Sequence, residues 1–573
     1  MANYGFHTTP PYYRIRKNWI EVTEKYRKDG SGLFTYANFL GVTISAFTEI
    51  GQADEDIIVP LQRIYTGTMP VISSSLADTP CAVLGRRGLL KRLNATLGTS
   101  HTLDNPTFFS LLQDCIAKNY DFGTAYGFLR PAWYSKDWSS IPDIIRECEE
   151  KDREMRQSAL RGSEIVDPHI YPRPYPHPIS HAWVQNKDRV DVWTPINGRE
   201  WPVPIPKDTN LDLVRIEMLN KGLEYVWLDV LCLRQEGGPR EDLRVEEWKL
   251  DVPTIGALYN VKKVHCYLNG LGRPLSVEND YFSSDRCWFN RAWTLQETGS
   301  EGYEVCGITL NGPLDAKPDK DGKYDTEVLT TFHRKLLTLK RISSQPFEVL
   351  EEMQRRVSTK PVDRIAAIAI LLWSSTIPAY NESHTLEDAW TALLNVISPR
   401  TRAALFFWFP EPGIAGATWR PSWKQVMKTS LPKDYPSNEV HFMAVRRDNE
   451  TKTDQCDEAF CIEKCFVRGL AVGGALGTDR HGELLVRDAF GIQHAFHVVA
   501  THQYPIPENT YTLIRYELSY SRSLELGVQW VVGERFADQR FKKLSVLTMA
   551  AGVVESMLKD LQSQEEKRVN VLV

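Results

Sequence analysis

Between residues 179 and 310 the chain alternates short apolar runs with amphipathic stretches, and that alternation limits its fold more than any other feature. Residues 179–184 (ISHAWV) read as a short strand. Residues 208–221 (DTNLDLVRIEMLNK) read as a helix: Asp208 or Thr209 can cap its first turn, and Leu211, Val214, Met218 and Leu219 recur at helical spacing. Gly222 then stands where a helix needs its left-handed terminator. Residues 224–233 (EYVWLDVLCL) are almost continuously apolar, as a strand buried on both faces should be. Residues 241–259 read as a helix interrupted near Pro253, 263–268 (KVHCYL) as a strand, 285–297 as a helix and 303–310 as a strand. The order is β-α-β-α-β-α-β. It predicts an α/β fold with a parallel sheet covered on both faces, because each parallel crossover is right-handed and lays its helix on the sheet. Such sheets bind ligands at the carboxyl ends of their strands, so the polar residues after Val184, Leu233 and Leu268 are expected along one edge.

The rest of the chain is less regular. Its 573 residues are too many for one core, and at ~100–200 residues per domain two to four units are expected. Residues 1–170 read as a mainly helical region. Ile57, Leu61 and Ile64 are at helical spacing with Pro60 in a first turn, residues 108–118 (FFSLLQDCIAK) are amphipathic, and Pro142 opens a further short helix. The charged stretch 148–161 reads as a solvated helix or linker, and the HIYPRPYPHP segment, with four prolines in ten residues, predicts a boundary near 165–178. Beyond it the reading gives a central domain over 171–310 and a mixed α+β region over 311–573. In the latter, 329–350, 363–373 and 385–397 read as helices, and beyond about 400 short strands appear, among them 461–472 and 495–504.

Three segments carry a resemblance: ISHAWV at 179–184, YVWLDVLCLRQ at 225–235 and FNRAWTLQE at 289–297. In order and content they resemble the signature blocks of the fungal heterokaryon-incompatibility (HET) domain. PVDRIAAIAILLW at 361–373 and WRPSWKQVM at 419–427 resemble segments that come after it in such proteins. Two departures are visible: no glycine follows Trp183 in the first block, and Pro421-Ser422-Trp423 is not followed by Pro-Asp-Trp. The resemblance implies a TIR-like (flavodoxin-like) central sheet, and a role in non-self recognition and programmed cell death through protein partners, with self-association among them. It also implies that NAD is the substrate, with no bound cofactor, and that Glu297 is catalytic.

If residues 285–297 form an α-helix, Trp293 and Glu297 are four apart and share one face, so the indole can pack on the sheet and hold the carboxylate at its rim. A carboxylate near the ribose can stabilise the oxocarbenium-like cation left when nicotinamide departs. The alternative for Glu297 is a fold-securing salt bridge with Arg291 or Arg234. Arg291 can hold a phosphate or a partner's carboxylate, or pair with a surface acid. Asp229, in an otherwise apolar run, needs a partner or backbone N–H groups to be buried. Ser180, His181 and Trp183 close the first strand, and Gln235 opens a Gly-Gly-Pro loop; each can touch a ligand or fix local structure. A non-enzymatic signalling module that assembles through the same surfaces is the second reading.

Other chemistries find little support. His169, His177 and His181 lack a metal-ligand spacing, as do Cys456, Cys461 and Cys465, and no GxxxxGK[ST] phosphate loop occurs. A net charge of −5 gives no pull toward nucleic acid or anionic membrane. The longest apolar run, 365–373, is far short of the ~20 residues a membrane span needs. No secretory signal is expected at the N-terminus, and ten scattered cysteines read as reduced thiols of a cytoplasmic protein.

Overall fold

A computed structural model of the chain describes residues 71–129, 176–339 and 345–573, less 434–443, 517–526, 562–565 and a few single positions, together with isolated residues elsewhere before 176. The helix expected at Ile57–Ile64, most of the one opening at Pro142, the charged stretch and most of the proline-rich boundary lie outside the described residues. The chain forms two compact units, Met1–Leu337 and Thr338–Val573.

In the first unit, α1 (Cys81–Leu97), α2 (Pro106–Ala117) and α3 (Phe122–Leu129) share a core of Leu89, Leu93, Phe108, Leu112, Phe122 and Trp133. Local chemistry sets the bounds. Gly98 ends α1 in the left-handed conformation, and Asn105 caps α2 by accepting from the Thr107 N–H at 2.9 Å, with Pro106 in the first turn where no N–H is needed.

The parallel sheet comes next. Strand β1 (His177–His181) leads through the antiparallel hairpin β2 (Arg189–Val192) and β3 (Val203–Pro206) into α4 (Leu211–Asn220). Then come β4 (Val226–Trp227), the one-turn helix α5 (Asp229–Cys232), α6 (Arg244–Val261), β5 (Val264–Tyr267) and β6 (Tyr303–Val305). The four main strands are parallel in the order β4-β1-β5-β6. The α/β unit expected from the alternation is therefore present. The first crossover places β4 on one side of β1 and the next places β5 on the other, so the crevice between β1 and β5 is where the winding direction reverses. Ile179, Val214, Met218, Leu228, Val230 and Tyr267 form the core here.

Three elements differ from the sequence reading. Residues 224–233 are not one strand: β4 ends at Trp227, and Asp229 accepts the Val230 N–H at 2.7 Å, starting α5 instead. Helix α6 runs through Pro253 without interruption, while the Thr254 hydroxyl donates to the carbonyls of Leu250 and Asp251. Where a helix is expected over 285–297, the described residues 287–298 hold two 3₁₀ segments, Trp288–Asn290 and Trp293–Thr298, separated at Arg291 by extended backbone. The Thr294 hydroxyl donates to the Trp288 and Arg291 carbonyls at 2.6 and 2.9 Å, an example of a side chain competing with the helical ladder.

After β6 the chain turns at Gly307. Its φ is +69°, its N–H donates to buried Glu217 at 2.9 Å, and a Cβ would lie 2.1 Å from the Arg273 carbonyl oxygen. Gly307→Ala is expected to cost about 1–3 kcal/mol, the range for a forced backbone shift in a packed site, read as a lower midpoint in urea unfolding.

The second unit begins with α7 (Pro346–Gln354), the short α8 (Asp363–Ala366), α9 (Leu386–Val396), α10 (Pro399–Trp408) and α11 (Trp423–Lys428). The buried helix expected over 363–373 therefore stops at Ala366. Turns bonded mostly three or four residues apart continue to Trp373, which has φ +61°, and the Thr401 hydroxyl donates to the Leu372 carbonyl. From Val445 onward the unit is mostly sheet. Strands β7 (Val445–Arg447), β8 (Asp454–Arg468), β9 (Arg480–Arg487), β10 (Gln493–Ala500), β11 (Asn509–Arg515), β12 (Val528–Arg535) and β13 (Arg540–Met549) precede α12 (Ala551–Asp560) and β14 (Glu566–Leu572). Six of them close an antiparallel ring, β8-β9-β10-β13-β12-β11 and back to β8, so neither end of the sheet is left as an open edge. Val467, Leu484, Val498, Leu513, Trp530 and Leu547 fill it, joined by Val554 and Met557 of α12. Among the described residues no helix is long and apolar enough to cross a membrane.

Candidate functional site

The carboxyl end of β1 is the meeting point of the three sequence blocks. Alternation along a strand sends successive side chains to opposite faces, and Ser180 and His181 accordingly enter two different clusters.

The first cluster is centred on Ser180, which is fully buried. Its hydroxyl donates to Glu297 Oε2 and accepts from the Trp288 indole Nε1 at 2.6 Å. Cys266, its register partner on β5, lies beside it. Burial first, and then the Glu297 charge, push the Cys266 thiol far above its usual range, so it is an inert neighbour rather than a nucleophile. Glu297 is thus buried at the reversal point between β1 and β5, held by a serine that an indole orients.

The second cluster pairs His181 Nε2 with Asp229 Oδ1 at 2.8 Å, while Asp229 Oδ2 accepts the Trp183 Nε1–H at 2.5 Å. Burial alone disfavours both charges. The attraction between them and their hydrogen bond outweigh it, with Glu297 adding to the field on the imidazole. His181 is therefore held above its usual range and Asp229 below. Of the two ring nitrogens, Nε2 is spent on Asp229 and Nδ1 is buried without a side-chain partner.

The remaining expected residues are placed less centrally. Arg291 and Trp293 are half-buried. Residues 293–298 are 3₁₀ rather than α-helical, so residues four apart no longer share a face, and the Trp288 indole reaches the Ser180–Glu297 pair through Ser180. Gln235 donates to the Leu233 carbonyl at 2.7 Å and fixes its own loop. Arg234, the alternative partner for Glu297, pairs instead with Glu247 at 2.8 Å and Glu200 at 3.2 Å.

Two contributors do not stand out in the sequence. Trp288 carries a signal, since it lies just before the third block, but nothing in its spacing points at Ser180. Arg189 carries none. Its guanidinium stacks over the Trp183 ring at 4.7 Å and donates Nε–H to the Val184 carbonyl at 2.6 Å. Burial and then the Arg291 charge lower its affinity for its proton, so the two guanidiniums act on one another here. Such a pair suits an anionic group.

Among the described residues no group of three His, Cys, Asp or Glu is arranged to hold a metal ion. The arrangement offers a desolvated carboxylate, an imidazole paired with Asp229 and a guanidinium stacked on Trp183. No family model, no curated protein and no solved structure matches the chain.

Proposed function

We propose that the region 171–310 is a HET-type domain with a TIR-like, flavodoxin-like sheet that hydrolyses NAD, and that the chain acts in fungal non-self recognition ending in cell death. The observation that carries the reading is the Glu297 carboxylate, buried at the reversal point of a parallel sheet in the order second-first-third-fourth strand and held there by Ser180. In the reaction the bond between ribose C1′ and nicotinamide breaks, and its electron pair leaves with nicotinamide. Glu297 stabilises the ribosyl cation through its charge and the ribose hydroxyls. Water then adds at C1′, giving ADP-ribose and a proton. Ser180 positions the carboxylate, and His181, Trp183, Trp293, Arg291, Asp229 and Gln235 line or support the entrance.

A second reading has its own observation. Ser180 with Glu297, and Asp229 with His181 and Trp183, already satisfy one another, so the three blocks lock the fold together as they would in a non-enzymatic module that assembles with partner proteins. NAD consumption by the full chain, alone and with an inducible dimerisation tag, separates the two when measured beside toxicity on expression in yeast. Glu297→Gln is expected to lower NAD consumption at least ~100-fold and to abolish toxicity, the size of effect seen when a transition-state charge partner is lost. Toxicity that persists in Glu297→Gln with cellular NAD intact would sink the enzymatic reading and leave the assembly module.

A further inference from the structure

In the second unit a cluster of guanidiniums is left without enough negative charge. Arg402 in the first turns of α10 is 2% exposed. It donates to the Leu394 carbonyl at the end of α9 and to Asp454 Oδ1, while its buried Nε has no partner. Arg447 on β7 reaches the same Asp454 oxygen at 3.3 Å, and the other oxygen accepts the Trp419 Nε1–H at 3.1 Å. Both oxygens of Asp454 are thereby engaged. The Trp419 ring, itself buried, carries Arg402 at 5.2 Å and Arg420 at 6.0 Å. Arg420 forms no hydrogen bond or ion pair among the described residues, and its Nη1 is buried without a partner. Glu387, the next carboxylate in its field, is spent on the N–H groups of Trp423 and Lys424 at 3.0 and 3.1 Å, where it closes the start of α11.

Three cations therefore face one carboxylate, Arg402 buried and Arg420 and Arg447 half-buried. A buried guanidinium lacking an acceptor is among the costlier features a fold can carry, and cation–π contact with one indole recovers only part of that cost. An anion seated among the three would supply the missing acceptors. A carboxylate would be satisfied by a single guanidinium fork. Three forks from three separate elements, a helix, a loop and a strand, suit a group with more oxygens and more charge.

We propose that Arg402, Arg420 and Arg447 form a binding site for a phosphate group beside Trp419. The site is independent of the one around Glu297. Arg402 and Arg447 share Asp454 and double as structural groups, so Arg420 is the residue whose role is ligand binding alone.

Isothermal titration of the full chain with inorganic phosphate, and its melting temperature with and without phosphate, test this. The wild type is expected to bind one phosphate and to melt about 5–10 °C higher at phosphate 100-fold above its Kd, with no such rise in sodium chloride of equal ionic strength. Arg420→Gln is expected to lose both responses and yet melt no lower than wild type in phosphate-free buffer, because a half-buried charge with a buried, unpaired Nη1 has gone. Arg420→Lys, which keeps the charge and loses the fork, should weaken binding at least ~10-fold. ADP titrated in parallel identifies the source: binding at least ~10-fold tighter than phosphate marks a nucleotide, equal binding marks free phosphate. The proposal fails if the wild type takes up neither, if Arg420→Gln binds phosphate as the wild type does, or if Arg420→Gln melts lower in phosphate-free buffer.

Discussion

Asp229→Ala is expected to destabilise the first unit by about 3 kcal/mol. Removing one member of a buried ion pair costs about 3–5 kcal/mol, because the partner stays buried without its counter-charge; the 18% exposure of the Asp229 side chain argues for the lower end. The substitution also strands the Trp183 indole N–H and removes the acceptor that starts α5 at the Val230 N–H. The pair adds a pH signature with a definite sign. His181 has its pKa raised in the fold, so its contribution is complete below the unfolded value of 6.5 and is lost as pH rises through the folded value. Asp229 has its pKa lowered, so its contribution is present above the unfolded 3.8 and is lost as pH falls through the folded value. Between 3.8 and 6.5 both contributions stand. Hydrogen exchange of peptides covering residues 177–184, across roughly pH 5 to 9, should show the advantage of wild type over Asp229→Asn shrinking as pH rises past 6.5. A difference that stays flat across that range would mean that His181 carries no charge in the fold.

This network also explains why part of the site is legible in the sequence and part is not. The strands at 177–181 and 264–267 and the helix at 211–220 announce themselves through local periodicity, and that periodicity is enough to predict a parallel sheet with polar residues gathered at one edge. Ser180, His181, Trp183, Asp229 and Glu297 all stand out as candidates. Their pairing is not legible, because Ser180 meets Glu297 across 117 positions and His181 meets Asp229 across 48, distances no local pattern encodes. Asp229 reads as part of a strand because the residues around it are apolar. Yet the aspartate that interrupts the run is where the strand has ended and the first turn of α5 begins, its carboxylate accepting the Val230 N–H. Trp288 does not read as a candidate because its bond to Ser180 spans 108 positions, and the face that Trp293 and Glu297 would share on an α-helix is absent because the segment is 3₁₀.

The closed barrel is hidden for a different reason. Strand β8, fifteen residues long, pairs with β9, β11 and β14, and its register shifts between Cys456 and Ala459 and again between Ile462 and Cys465, with Lys464 at φ +58°. Each irregularity moves the buried positions to the other parity, so a two-residue alternation read along the sequence breaks and the strand looks like fragments. Ring closure by β8 and β11 joins residues far apart in the chain, such as Phe460 and Arg515, and no turn signal marks it.

Within that barrel, Lys543→Met is expected to cost the second unit about 2–4 kcal/mol. Lys543 on β13 is fully buried, yet its ammonium bonds to no carboxylate among the described residues. It donates instead to the carbonyls of Leu405, Phe406 and Phe409 at 3.1, 2.7 and 2.6 Å, the acceptors left open where α10 ends. Ser545, two residues on and on the same face, takes the Pro410 carbonyl at 3.1 Å. Strand β13 thus caps the helix from the side, and a cation at the negative end of a helix is in a favourable field. Burial pulls the ammonium well below its usual pKa. Methionine, close in volume, removes that desolvation cost of several kcal/mol. It also strands three buried carbonyls at about 1–3 kcal/mol each, and the second quantity is the larger. Hydrogen exchange of peptides from 399–410 and 540–549 reads the result, and faster exchange in both is the expected outcome because one side chain joins them. A Lys543→Met chain that exchanges as slowly as wild type would mean that desolvation of the ammonium had cancelled the three bonds. The lysine would then be tolerated by α10 rather than required by it.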